Sequence, residues 1–155
     1  TGMEESQTEC VRCAGLLHDI GKVGVSDAIL CKEDKLTEEE FAVIRRHPEI
    51  GGKILSCIDM FHNLGEIVRA HHERIDGRGY PDGLRGEQIP PEARMISIAD
   101  AFDAMMSDRH YRKRLSLAKA KEELEAGKGT QFDAGLVEVF LELIANGELG
   151  ELEGT

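Results

Sequence analysis

The run His71-His72-Glu73-Arg74-Ile75-Asp76-Gly77-Arg78-Gly79-Tyr80-Pro81 concentrates the side chains best suited to chemistry. Neutral imidazole is the commonest metal-ligating side chain, and carboxylates suit hard or borderline divalent ions. Consecutive helical residues point roughly 100° apart. One ion is therefore awkward for both rings, whereas two neighbouring ions could take one each. Gly77 and Gly79 would let backbone approach a ligand closely. Tyr80 offers a ring and a hydroxyl, and Pro81 stiffens the exit. Alone, the run reads equally well as a helix end with two solvent-facing histidines and a Gly/Pro turn.

The rest of the chain shifts that balance towards chemistry. His18 and Asp19 stand at the last turn of an apparent helix, just ahead of Lys22. A His-Asp pair there can be structural, with the acid orienting the ring. His47 precedes Pro48, and a residue before proline is pushed out of the helical region, so His47 should sit at a break. Asp100 and Asp103 lie three apart, hence on one face, in the otherwise apolar run 91–107. Acids in such a run are costly to bury unless paired or bound to a metal. Beyond them, Arg109, His110, Tyr111, Arg112, Lys113 and Arg114 form a compact basic patch that suits a phosphate clamp.

Six candidate ligands result: His18, Asp19, His47, His71, His72 and Asp100. A His/carboxylate set without cysteine favours iron, manganese or another borderline-to-hard ion over structural zinc. Six exceed the needs of one ion. Asp19 could bridge two ions about 3.5–4 Å apart, the spacing used in two-metal phosphoester hydrolysis. There a metal-bridging hydroxide attacks phosphorus in line and a cation steadies the developing charge. Lys22 is placed for that cation, and Arg109 and Arg112 for the phosphate that is not cut.

Helices must position these groups. Apolar positions Val11, Ala14, Leu17 and Ile20 predict a helix over 4–19 that stops at Gly21, with a loop over 23–34. Thr37 and Glu40 form a capping box for a helix to about residue 46, and Pro48 opens the next. Gly51-Gly52 suggest close packing against another backbone. A helix over 60–73 ends in the His pair, with His62 exposed or capping near its start. The loop over 74–91 is long enough to suggest function. Helices are further expected over 91–107, from Ser116 to about residue 126, and from Asp133 to the stop at Asn146-Gly147. The architecture is all-α, a helical bundle.

Composition sets outer bounds. The chain has 155 residues, 41% hydrophobic and 32% charged, which fits one soluble domain over 1–147 with an acidic flexible tail over 148–155. The four cysteines show no disulfide-framework spacing, and Cys10 and Cys13 read as packed, reduced thiols, consistent with a cytoplasmic address. No apolar run approaches the roughly 20 residues of a membrane span. A net charge of −11 argues against a nucleic-acid polymer as partner, yet leaves room for a small phosphate ligand in a locally positive pocket.

Taken together, His18-Asp19-Ile20-Gly21-Lys22, His47-Pro48, His71-His72-Glu73-Arg74, Asp76-Gly77, Gly79-Tyr80-Pro81 and Asp100-Ala101-Phe102-Asp103-Ala104 resemble the HD-GYP family. This branch of the HD metallohydrolases cleaves cyclic di-GMP. The likeness runs from about Cys10 to Phe140. It implies a helical bundle of the HD-domain type holding two divalent ions, iron or manganese, on the six ligands above. It also implies Lys22 as catalytic lysine beside Asp19, and Gly79, Tyr80, Pro81, Asp103, Arg109 and Arg112 as substrate contacts. The product would be pGpG, in some members GMP. Family members often follow a receiver or sensory domain, and some dock diguanylate cyclase (GGDEF) domains through the Gly79-Tyr80-Pro81 loop.

The family also has a further N-terminal helix carrying a His ligand and, in some members, a Glu for a third ion. The sequence begins at Thr1-Gly2-Met3, directly in front of the His18-Asp19 helix, with no such His in between. The expectation is a truncated domain without a third ion, its apolar face covered by a second copy in a homodimer. Three rival readings accompany the hydrolase. One is a non-catalytic module that binds cyclic di-GMP or docks a cyclase. Another is an HD hydrolase for a different nucleotide, such as a cyclic GMP-AMP or a nucleoside monophosphate. The last is a purely structural helical protein.

Overall fold

The computed structural model describes residues 3–108 and 113–149. The helices in chain order are α1 (Glu5–Leu17), α2 (Asp27–Leu30), α3 (Glu38–Ile44), α4 (His47–Ser56), α5 (His62–Ala70), α6 (Pro91–Met106), α7 (Leu117–Ala126) and α8 (Ala134–Ala145). Single 3-10 turns at Ile20–Gly24, Asp59–Phe61 and Gly86–Gln88 join some of them. Among the described residues there is no strand, only an isolated bridge between Lys128 and Phe132. None of these helices is long and apolar enough to cross a membrane.

Two cores share one helix. Ala14, Leu55, Leu64, Ile67, Val68, Ala93 and Ile96 close the first, between α1, α4, α5 and the first half of α6. Cys10 and Cys13 pack against it as free thiols. Ile98, Phe102, Ala120, Leu124, Val137 and Ile144 close the second, between the rest of α6, α7 and α8. Serving two cores explains why 91–107 is apolar on most of its circumference, and it leaves Asp100 near the join. Leu149 packs on the second core. Residues 150–155, most of the expected acidic tail, lie outside the described residues.

Helix ends fall largely where their chemistry puts them. Thr37 accepts from the Glu40 N–H while Glu40 accepts from the Thr37 N–H, so the box forms. α4 starts at His47 with Pro48 in its first turn. Three stretches differ from the periodicity. α1 stops at Leu17, so His18 and Asp19 lie beyond it, leading into the 3-10 turn. The expected loop over 23–34 contains α2, a single turn too short to register as a period. The expected helix over 60–73 begins with a 3-10 turn and stops at Ala70, which leaves both histidines past its end.

The glycines at 21, 51 and 52 let these ends meet. A Cβ on Gly21 would stand 2.5 Å from the Gly51 nitrogen and closer still to the His47 carbonyl oxygen, so only glycine lets the Asp19 turn lie against the start of α4. Gly52 faces Gly65 of α5 in the same way. This backbone contact brings residues 18–22 and 47 together.

Asp133 joins the two halves. It caps α8 by accepting from the Leu136 N–H at 3.2 Å, and its other oxygen takes Arg94 of α6 at 2.7 Å. Asp133→Ala should therefore lower stability by about 2 kcal/mol through loss of the cap and of a charged hydrogen bond. Chemical denaturation checks this; an unchanged midpoint would show that neither bond contributes.

Candidate metal centre

Three of the candidate ligands, His18, His47 and His71, each bond a carbonyl of the helical turn they follow, while Asp100 projects from the middle of α6. His18 Nδ1 lies 2.6 Å from the Gly15 carbonyl, His47 Nδ1 2.8 Å from Ile44 and His71 Nδ1 2.6 Å from Val68. A carbonyl only accepts, so each Nδ1 carries the proton and each Nε2 presents a lone pair. Those lone pairs converge. His47 Nε2 is 3.3 Å from His71 Nε2 and 3.4 Å from Asp19 Oδ1. His18 Nε2 is 3.5 Å from Asp19 Oδ2 and 3.6 Å from Asp100 Oδ1. His72 completes a trio with His47 and His71 whose ligand atoms lie within 4.8 Å of one another.

Two neutral imidazoles with lone pairs facing at 3.3 Å cannot bond each other; they need a cation between them. The electrostatics agree. Burial holds His71 down to about 4 and His72 down to about 3, and it also lowers His47, so all three are neutral donors at pH 7. His18 moves the other way because Asp100 faces it. Burial works to raise Asp100, but His18 and the other imidazoles outweigh it and hold the carboxyl at about 2. Asp19 is likewise lowered, with burial opposed by Lys22 and the histidines. The field that favours a proton on His18 also favours a metal ion. The donor set fits divalent metal.

Lys22 Nζ sits 2.5 Å from Asp19 Oδ2, half-exposed at the rim. Two cavities flank the ligands. One, of about 640 Å³, is largely apolar, runs between α1, α6 and α8, and ends at His18, Asp19, Lys22, Asp100 and the exposed Asp103. The other, of about 480 Å³, is lined by Arg45, His72, Arg74, Tyr80, Asp100 and Gln131 among others. Asp100 borders both. Tyr80 packs its ring 4.9 Å from His72, and burial pushes its phenol up to about 12, so it stays a donor. Gly79 shares that wall, whereas Pro81 lies outside it. Arg109 and Arg112 fall outside the described residues.

Four features of the loop escape sequence reasoning. Glu73, 3% exposed, is no ligand: its oxygens accept from the N–H groups of Asp82 (2.6 Å), Gly83 (3.0 Å) and Leu84 (3.0 Å). Gly79 is required by the loop's own packing, since a Cβ there would stand 2.4–2.7 Å from Glu73 and Arg74 backbone. Gly77 has φ 75°, and its space is filled by Arg85. Arg74 pairs with Asp76 and Gln131, and the Asp76 N–H donates to Thr130, so the turn after α7 anchors the loop from 57 residues away in sequence.

A helical bundle in which four histidines and two aspartates converge has the arrangement of an HD-type domain. The HD domain family model matches residues 1–136, and the chain belongs to that family, in its HD-GYP branch. It is 43% identical over 142 residues to the cyclic di-GMP phosphodiesterase response regulator RpfG of Xanthomonas campestris, covering 90% of this chain and 38% of that protein. It is 41% identical over 143 residues to the 3'3'-cGAMP-specific phosphodiesterase 2 of Vibrio cholerae, covering 91% of this chain and 27% of that one. Bd1817, an HD-GYP-type protein of Bdellovibrio bacteriovorus, has the same fold, with a TM-score of 0.73 at 23% identity over 92% of this chain and 45% of its own. The chain thus spans less than half the length of each of these proteins.

Proposed function

We propose that this chain is the hydrolytic domain of a cyclic dinucleotide phosphodiesterase, opening cyclic di-GMP to pGpG and, by a further cut, GMP. The observation that carries the reading is the convergence of the Nε2 atoms of His18, His47 and His71 beside Asp19 and Asp100. Relatives of similar identity are named for cyclic di-GMP and for 3'3'-cGAMP, both cyclic dinucleotides.

His18, Asp19, His47, His71, His72 and Asp100 would hold two divalent ions, iron or manganese by the chemistry of the set. When bound, such a pair supplies an activated water and Lewis-acid polarisation of the phosphoryl group. The protein's own groups do the rest. Asp19, buried on one side and held ionised by Lys22, keeps its charge towards the cluster. Lys22 adds a cation next to the reacting phosphate. Water oxygen joins phosphorus, the P–O3' bond breaks, and the leaving 3' oxygen takes a proton. Tyr80 and Gly79 bound the nucleotide, Pro81 fixes the loop behind them, and Asp103 meets it from the other cavity. Arg109 and Arg112 neutralise the phosphate left intact.

The test is hydrolysis of cyclic di-GMP by the manganese- or iron-loaded protein, followed by separation of nucleotides. Linear pGpG or GMP, abolished by a chelator and restored by metal, is the expected result. Turnover that persists after complete metal removal would overturn the reading.

A further inference from the structure

Arg45 follows the end of α3, in the two-residue turn into α4, and its surroundings are unusual for an exposed arginine. Its guanidinium carbon lies 4.6 Å over the Phe41 ring, one helical turn earlier, and 5.4 Å from the Tyr80 ring. Tyr80 in turn lies against His72. Phe41, Arg45, Tyr80 and His72 thus form a row from the surface to the ligand cluster. Among the described residues no carboxylate pairs with Arg45, whereas Arg69, Arg74 and Arg94 are each held by an aspartate. Arg78, at the same cavity, lies near Asp76, to which its own N–H donates, and among the described residues it stacks on no ring.

Resting on the reading above, we propose that Arg45 reads a guanine base of the cyclic dinucleotide. With aromatic rings near its faces, the guanidinium has its N–H edge left for a planar ligand. An arginine edge is all donors, and it matches the O6 and N7 acceptors of guanine bidentately. Adenine presents an amino donor at the position of O6, so the same edge meets a mismatch. The cavity's position supports a base rather than a phosphate: His72 and Asp100 mark the reacting end, and Arg45 lies beyond Tyr80 from them. Both cyclic di-GMP and 3'3'-cGAMP carry a guanine for it to read.

Binding of cyclic di-GMP and cyclic di-AMP to the metal-free protein, by calorimetry, tests this without turnover. Wild type should prefer cyclic di-GMP. Arg45→Gln should weaken cyclic di-GMP by about ten- to a hundredfold and leave cyclic di-AMP within about twofold, as expected when a bidentate base contact is lost. Arg45→Lys, which keeps the charge without the fork, should not restore affinity. Equal losses for both nucleotides with rescue by lysine would assign Arg45 to phosphate and overturn the inference, as would unchanged affinity or no binding by wild type. If wild type binds and discriminates through Arg45 yet hydrolyses neither nucleotide when loaded with metal, the hydrolase reading falls and this inference stands.

Discussion

Replacing Asp19 with alanine is expected to empty the metal centre and reduce turnover by well over a hundredfold, with helix content nearly unchanged. Among the described residues Asp19 is the one carboxylate that faces His18, His47 and Lys22 together, at 3.5, 3.4 and 2.5 Å. Loss of groups that merely orient metal ligands costs about 10–100-fold; loss of a direct ligand between two ions should cost more. The residue lies past the end of α1, so its removal breaks no helical hydrogen bond. Elemental analysis and circular dichroism on the same sample separate metal loss from unfolding. Turnover at the wild-type rate would refute a role for Asp19 in the centre.

The second large effect is expected at Glu73. Removing its carboxylate in Glu73→Ala strands three loop amides at a site 3% exposed. A buried donor left unsatisfied costs about 1–3 kcal/mol, and water admitted as the loop lifts relieves part of this, so a loss of about 2–5 kcal/mol is expected. Glu73→Gln keeps one acceptor oxygen and turns an amide donor towards a backbone donor, so a smaller loss is expected. In that variant metal content should persist while cyclic di-GMP turnover falls, because Tyr80 and Gly79 are carried on the loop that Glu73 holds. Metal loss in parallel with activity would instead make Glu73 part of the metal site.

The proposed ligand set was legible because most of its residues follow helix ends, which have local signals such as the glycine at 21 and the proline at 48, and because Asp100 is an acid set inside an apolar helix. What the chain does between those ends was less legible. The role of Glu73 depends on amides nine to eleven residues on, which no side-chain pattern announces. Gln131 reaches Arg74 only through tertiary packing. Arg45, in an Arg-Arg pair at a polar helix end, reads as solvated surface, and only the approach of Tyr80 singles it out. Gly79 shows the same limit from the other side. Its need for a missing Cβ was readable, but the neighbour that imposes it, the backbone of Glu73 and Arg74, was not.

The central claim is a two-metal centre on six side chains, and metal stoichiometry tests it most directly. Protein purified without air and supplied with iron or manganese should carry about two ions per chain, as a bridged pair requires, and the same sample should hydrolyse cyclic di-GMP. Fewer than one ion per chain in a sample that still turns over substrate would contradict the account.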